Sequence, residues 1–166
     1  MDTAKNMQDN LPHVTIWTDG SSLGNPGPGG YGAILLFDRA GETHRKELSQ
    51  GFRTTTNNRM EVMAAIAALE ALKTPCQVTL YSDSQYLVHA HTQGWLTNWI
   101  NKDWKTSKKI PVKNVDLWKR LLNAEEPHEV TYSWVEGHTG IELNERCDEL
   151  AVKAAHGENL LEDEGF

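Results

Sequence analysis

Residues 18–32 read Thr18-Asp19-Gly20-Ser21-Ser22-Leu23-Gly24-Asn25-Pro26-Gly27-Pro28-Gly29-Gly30-Tyr31-Gly32, or TDGSSLGNPGPGGYG. Gly27, Gly29 and Gly32 satisfy a G-x-G-x-x-G spacing, which in a dinucleotide-binding turn opens directly into a helix. Here Gly32 runs instead into Ala33-Ile34-Leu35-Leu36-Phe37, a short apolar run that reads as a strand. No Lys-Ser or Lys-Thr follows the glycines, so a phosphate-binding P-loop is excluded too. A nicotinamide oxidoreductase therefore fails on its missing helix. The glycines predict a long turn between two strands, and attention moves to Asp19 at the end of the first.

On either side of this stretch the apolar pattern sets out an α/β chain. His13–Thr18 alternates and is rich in β-formers, predicting a strand that ends at Asp19. Tyr31–Asp38 and about Thr43–Phe52 predict two more, in an antiparallel meander. Asn58–Lys73 carries Val62, Met63, Ile66, Leu69 and Leu72 at helical spacing and stops at Thr74-Pro75. A strand is predicted over Gln77–Ser82, then helices over Ser84–Thr92, Trp95–Asp103 and Asn114–Asn123. A fifth strand over Glu129–Val135 and a helix over Leu143–His156 complete the series. Three strands followed by alternating helix and strand predict a mixed five-stranded sheet, three strands antiparallel and two parallel, with helices on both faces.

At 166 residues the chain suits one domain, and its 23% charged residues are ordinary for a globular protein. The domain is expected over 13–156, after a flexible N-terminal extension (1–12) and before an acidic C-terminal tail (157–166). With no apolar signal core, no membrane-length run and only Cys76 and Cys147, the composition predicts a cytoplasmic protein without a membrane partner. Nothing calls for an obligate protein partner, so a monomer is expected. The net charge of −7 argues against nucleic acid, but Lys102–Arg120 carries +5 and the remainder −12. A basic segment, about 95–113, on an acidic body suits a phosphate-facing surface; taken alone it is equally a solvated loop.

Asp19 and Asp83 both stand where an apolar strand run ends, and strand ends beside a topological switch are where α/β sheets bind ligands. Each also has a plain structural reading. Asp19 before Gly20 is a turn residue, and Ser82-Asp83-Ser84-Gln85 fits a capping box. Asn58-Arg59-Met60-Glu61 resembles a cap in the same way, with Glu61 reaching back. On the last helix Glu149 has Lys153 four residues on, an ordinary surface pair, whereas Asp148 has no cation at that spacing and borders the apolar stripe of Cys147, Leu150, Ala151 and Ala154. Four acids from separate elements would form a cage of hard oxygen ligands, suited to Mg²⁺ or Mn²⁺ rather than zinc.

TDGSSLGNPGPGGYGA, TTNNRMEVMAAIAALEALK, SDSQYL, KNVDLWKRL, VEGHTG and NERCDELA, in that order, closely resemble bacterial type 1 ribonuclease H over roughly residues 13–156. The resemblance implies an endonuclease that cuts the RNA strand of RNA–DNA hybrids, leaving 5′-phosphate and 3′-hydroxyl ends. It carries the family's catalytic acids onto Asp19, Glu61, Asp83 and Asp148 and its loop histidine onto His138. Two Mg²⁺ ions about 4 Å apart are implied, Asp19 bridging both, Glu61 and Asp83 completing one site and Asp148 helping the other. His138 is implied to assist proton transfer or product departure near neutral pH.

Contacts to the RNA strand fall on Ser22, Asn25, Asn57, Asn58 and Gln85, where many members carry Cys in place of Ser22. Contacts to the DNA strand fall on Trp95, with Thr56 and Asn98 around a phosphate. Trp99, Trp104 and Trp118 are expected to form a hydrophobic cluster under the basic segment. Arg53 stands three residues before Thr56, where several relatives have Arg two before, which reverses its face on an extended segment. A less basic Asn101-Lys102-Asp103 predicts weaker or more salt-sensitive hybrid binding. A hybrid-binding module that has lost catalysis would lack at least one acid, and all four are present; another nuclease or integrase of the superfamily suits the basic segment and the unbroken motif set less well.

Overall fold

Past the pair Thr18↔Ser82, the first and fourth strands part company, and the next residues are Asp19 and Asp83. The computed structural model describes residues 11–166, so most of the expected N-terminal extension, 1–10, lies outside the described residues. In it β1 (His13–Ser22), β2 (Gly27–Arg39) and β3 (Glu42–Thr55) form the antiparallel meander. β4 (Gln77–Ser82) lies parallel to β1, and β5 (Glu129–Trp134) parallel to β4. The sheet order is β5-β4-β1-β2-β3-β6, with the crossover at β1. The short β6 (Leu160–Leu161), in the segment expected as a tail, adds a sixth strand on the edge of β3.

The helices are α1 (Asn57–Glu70), α2 (Gln85–Thr92), α3 (Trp95–Asn101), α4 (Val115–Glu125) and α5 (Glu142–Ala155). Val14, Ile16, Val78 and Leu80 point to one face of the sheet and are buried under α1 and α2, which makes this the main core. α1 is buried nearly all round because the sheet lies under it and α4 packs over it. α5 covers β1, β2 and β3 from the opposite face. Among the described residues no helix is long and apolar enough to cross a membrane.

The glycine-rich stretch departs from its expected role as a long turn. β1 runs on to Ser22 and β2 starts at Gly27, leaving a short loop with a cis Asn25–Pro26 bond. Gly29, Gly30 and Gly32 are strand residues. A Cβ on Gly30 would lie 2.6 Å from the Ala151 carbonyl oxygen, and one on Gly32 2.4 Å from that of Cys147. Gly30 and Gly32 are glycines because α5 packs directly on the β2 backbone.

Two expected caps are also corrected. Thr56 caps α1, accepting from Arg59 N, so Glu61 sits inside the helix and does not reach back. Ser84 caps α2, accepting from Leu87 N, which leaves Asp83 just outside it. Glu149 pairs with Arg146 at 2.9 Å rather than with Lys153, because Arg146 already stands between Glu149 and Glu47 of β3.

Candidate active site

Asp19 lies within β1, one residue past its last pair with β4 and still paired with Gly32 of β2, and Asp83 follows the end of β4 at the same level. The third carboxylate comes from α1, which can approach only because residue 20 has no side chain. A Cβ on Gly20 would lie 2.4 Å from Glu61 N and from the Met60 carbonyl carbon. One carboxylate oxygen from each of Asp19, Glu61 and Asp83 falls within 4.8 Å of the others.

The three acids line a cleft of about 520 Å³ together with Asn57, Asn58, Gln85, His138 and Asp148. Asp148, half-buried on α5, is on the cleft wall but outside the compact trio. His138 is exposed on the rim, in a left-handed conformation (φ 57°). Its neighbour Gly137 presses on Asp83, since a Cβ there would lie 2.5 Å from Asp83 Oδ2.

Burial makes this cluster electrostatically costly. Asp19 is 4% exposed and Glu61 also 4%. Loss of water, then the charge of Asp83, pushes the Asp19 carboxyl up to about 8, although its contact with Glu61 and the Gly20 N–H pull the other way. Glu61 is raised well above the ordinary range, first by burial and then by Asp19. Glu61 Oε2 is buried with no hydrogen-bond partner among the described residues. A buried carboxylate oxygen left bare beside two other acids suits a cation, and the all-oxygen donor set suits a hard divalent one.

The remaining residues singled out in the sequence surround the cleft unevenly. Asn25 Oδ1 accepts from Asn57 N at 3.1 Å, which ties the β1–β2 loop to the start of α1. Asn57, Asn58 and Gln85 are exposed at the cleft rim; Ser22 is half-buried at the end of β1 but does not line the cleft. Trp95 and Asn98 are on α3, where Trp95 is half-buried against His89 and Trp99. The tryptophan cluster forms as expected, Trp99 packing on the fully buried Trp118 and Lys119 lying over Trp104. Arg53 is turned to the tail, where it pairs with Glu162.

Two contacts escaped the sequence reading. Asn144, 3% exposed, donates from Nδ2 to Asp83 Oδ2 at 3.3 Å. It lies one helical turn before Asp148, so the i, i+4 spacing carried a signal. Trp134 Nε1 donates to the Asp83 carbonyl oxygen at 3.1 Å. Only the meeting of β5 with the end of β4 creates that contact, and no local pattern announces it.

Comparison with known proteins bears on this geometry. The family model described as RNase H matches residues 12–156. A ribonuclease H of Lachnoclostridium phytofermentans is 61% identical over 152 residues, covering 90% of this chain and 96% of that protein. One from Pseudoalteromonas atlantica is 57% identical over 156 residues, covering 94% and 99%. Among solved structures, LC9-RNase H1, described as a type 1 RNase H with the type 2 active-site motif, superposes with a TM-score of 0.79 at 35% identity, covering 87% of this chain and 72% of that one. LC11-RNase H1, solved in complex with an RNA/DNA hybrid, superposes with a TM-score of 0.63 at 27% identity, covering 86% and 96%.

Proposed function

Because the chain belongs to the RNase H family of metal-dependent endoribonucleases, we propose that it hydrolyses the RNA strand of RNA–DNA hybrids by two-metal-ion catalysis, leaving 5′-phosphate and 3′-hydroxyl ends. The observation that carries this reading is the convergence of Asp19, Glu61 and Asp83 within 4.8 Å, with Glu61 Oε2 buried and bare. Those three carboxylates and Asp148 would hold two Mg²⁺ ions, which when bound polarise the attacking water and neutralise charge on the phosphate and departing 3′-oxygen. In the net reaction water adds to phosphorus and the P–O3′ bond breaks. The 3′-oxygen takes up a proton.

The chain's own groups prepare this step. Gly20 N–H donates to Asp19 Oδ1 at 2.9 Å and Asn144 donates to Asp83, so each of these two acids is held from outside the cluster. His138, on an exposed loop whose Gly137 presses on Asp83, would assist proton transfer or product departure. Asn57, Asn58 and Gln85 at the rim, with Ser22 and Asn25 behind them, suit the 2′-hydroxyls and base edges of a wide, shallow minor groove. Thr56, Trp95 and Asn98 are assigned to the DNA strand, and the lysines of Lys102–Lys113 to its phosphates. The enzyme acts as a cytoplasmic monomer.

The test is cleavage of a labelled RNA–DNA hybrid beside single-stranded RNA, duplex RNA and duplex DNA, in Mg²⁺, Mn²⁺ or EDTA, with Asp19→Asn as control. Metal-dependent cutting of only the hybrid's RNA, lost in Asp19→Asn, is expected. Hybrid binding without cutting would move the reading to a binding module, and equal cutting of DNA to a different nuclease.

A further inference from the structure

The acidic C-terminal segment is built into the body. Gln50 Nε2 donates to the Asn159 carbonyl oxygen at 2.8 Å, and Leu160–Leu161 pairs with Gly51–Phe52 of β3. Asp163 then turns inward, its side chain only 2% exposed, against Arg59 of α1 at 3%. Arg59 Nε and Nη2 donate to its two carboxylate oxygens at 2.7 and 2.8 Å, and Thr55 Oγ1 donates at 2.7 Å. Gly165 lies against the Asp116 carboxylate, which Arg59 holds through Nη2 at 2.8 Å. A tail that docks through a buried bidentate ion pair has a fixed seat.

From this seat the contacts run toward the proposed substrate surface. Arg59 Nη1 also donates to Asp116 Oδ1 at 2.9 Å and to Asn114 Oδ1 at 3.2 Å. Asn114 is the left-handed residue (φ 62°) through which the basic segment rejoins the body at α4. Its Nδ2 donates to the Tyr86 hydroxyl at 3.1 Å, and Tyr86 lines the acidic cleft. Arg59 itself is two residues from Glu61 and three from Thr56. Asp163 thus closes a network joining the start of α1, the start of α2 and the root of the basic segment. Asp116, the other acid on Arg59, has a side chain 45% exposed, so Asp163 is the buried partner.

We propose that Asp163 is a positioning residue for hybrid binding, the C-terminal segment fixing through Arg59 and Asn114 the separation between the catalytic cleft and the basic segment. The inference rests on the reading of those two regions as halves of one hybrid-binding surface. A duplex that must touch both loses affinity when their spacing is free to vary, because ordering them then falls to the binding step. Chemistry at the acids, held by β1, β4 and α1, is left in place.

The experiment is steady-state cleavage of a hybrid by Asp163→Ala, Asp163→Asn and Asp163→Glu, at a temperature where circular dichroism shows each folded. For Asp163→Ala, KM should rise about 10-fold with kcat within about 2-fold, from displaced geometry remote from the reacting atoms. Asp163→Asn, which keeps the shape without the charge, should show a smaller rise of the same kind and serves if the alanine variant does not fold. Asp163→Glu should recover part of the loss. Removing Lys105, Lys108 and Lys109 together should raise KM in the parent enzyme but add less than its full effect to Asp163→Ala, as coupled sites do. An unchanged KM with only a lower melting temperature, a fall confined to kcat, or full additivity with the lysine variant would each overturn the inference. Failure of the parent enzyme to cut the hybrid would overturn the function reading and this one with it; the two failures are told apart by the parent alone.

Discussion

Replacing Asp19 with Asn should destroy activity and at the same time make the metal-free protein more stable. In the folded chain the Asp19 carboxyl is pushed from 3.8 to about 8, first by burial and then by the charge of Asp83. A carboxyl raised on folding holds its proton more tightly when folded, so the stability it contributes is fully present below about 3.8 and is lost as pH rises toward 8. Each pH unit in that window costs about 1.4 kcal/mol for a group titrating alone, or roughly 4 kcal/mol by pH 7. Asp19 and Glu61 release protons as a pair, which spreads the cost and brings it to about 2–4 kcal/mol. Asn cannot ionise, and its carbonyl oxygen can still accept from Gly20 N–H. For a chain of this size the gain corresponds to a melting temperature higher by on the order of 5–10 °C. Thermal unfolding of both proteins in EDTA at pH 4, 5, 6, 7 and 8 reads it directly. The two should melt together near pH 4 and separate as pH rises, and Mg²⁺ should narrow the gap by stabilising the parent. Parallel curves across the pH range, or a less stable Asn variant at pH 8, would refute the electrostatic reasoning.

Other expectations follow from single interactions. Gly20→Ala forces a methyl to 2.4 Å from Glu61 N and so moves α1 off β1; it should cost about 1–3 kcal/mol in urea unfolding and lower kcat at least about 10-fold. Wild-type kcat in that variant would remove Gly20 from the site. Arg59→Ala leaves Asp163 buried and uncompensated and should destabilise by about 3–5 kcal/mol at pH 7, measured by urea unfolding. Burial pushes Asp163 up, but hydrogen bonds from Arg59 and Thr55 outweigh it and hold the carboxyl below 3.8, as the Arg59 hydrogen bond does for Asp116. That contribution is present above 3.8 and lost as pH falls through the depressed values, so the gap between parent and Arg59→Ala should close in acid. Lys108→Ala with Lys109→Ala should raise KM for hybrid and reduce the slope of log KM against log salt by about 2, roughly one for each phosphate that no longer meets a lysine; an unchanged slope would take those lysines off the substrate.

Much was legible along the chain: Asp19 and Asp83 beside the junction of two strands, the order of the elements up to the short β6, and the basic segment. These depend on short-range rules: alternation marks β1 and β4, and 3.6-residue spacing marks α1, so Asp83 was legible as a strand end, whereas Asp19 lies where β1 parts from β4 and β1 itself runs on to Ser22. The sequence also carried the identity of the family through its ordered motifs. Local patterns misread what depends on contact between distant segments. The glycines looked like a turn because glycine favours turns, yet Gly30 and Gly32 belong to a strand pressed against Ala151 and Cys147 of α5. Glu61 resembled a capping residue because its local spacing fits one, and only the missing side chain at Gly20 lets it reach Asp19. The tail was legible only as an acidic segment, while Asp163 finds Arg59 across 104 residues of chain. Hydrophobic periodicity and capping act within a few residues, so they can be read along the chain. Which surfaces approach closely enough to bury a carboxylate is decided only when the elements pack.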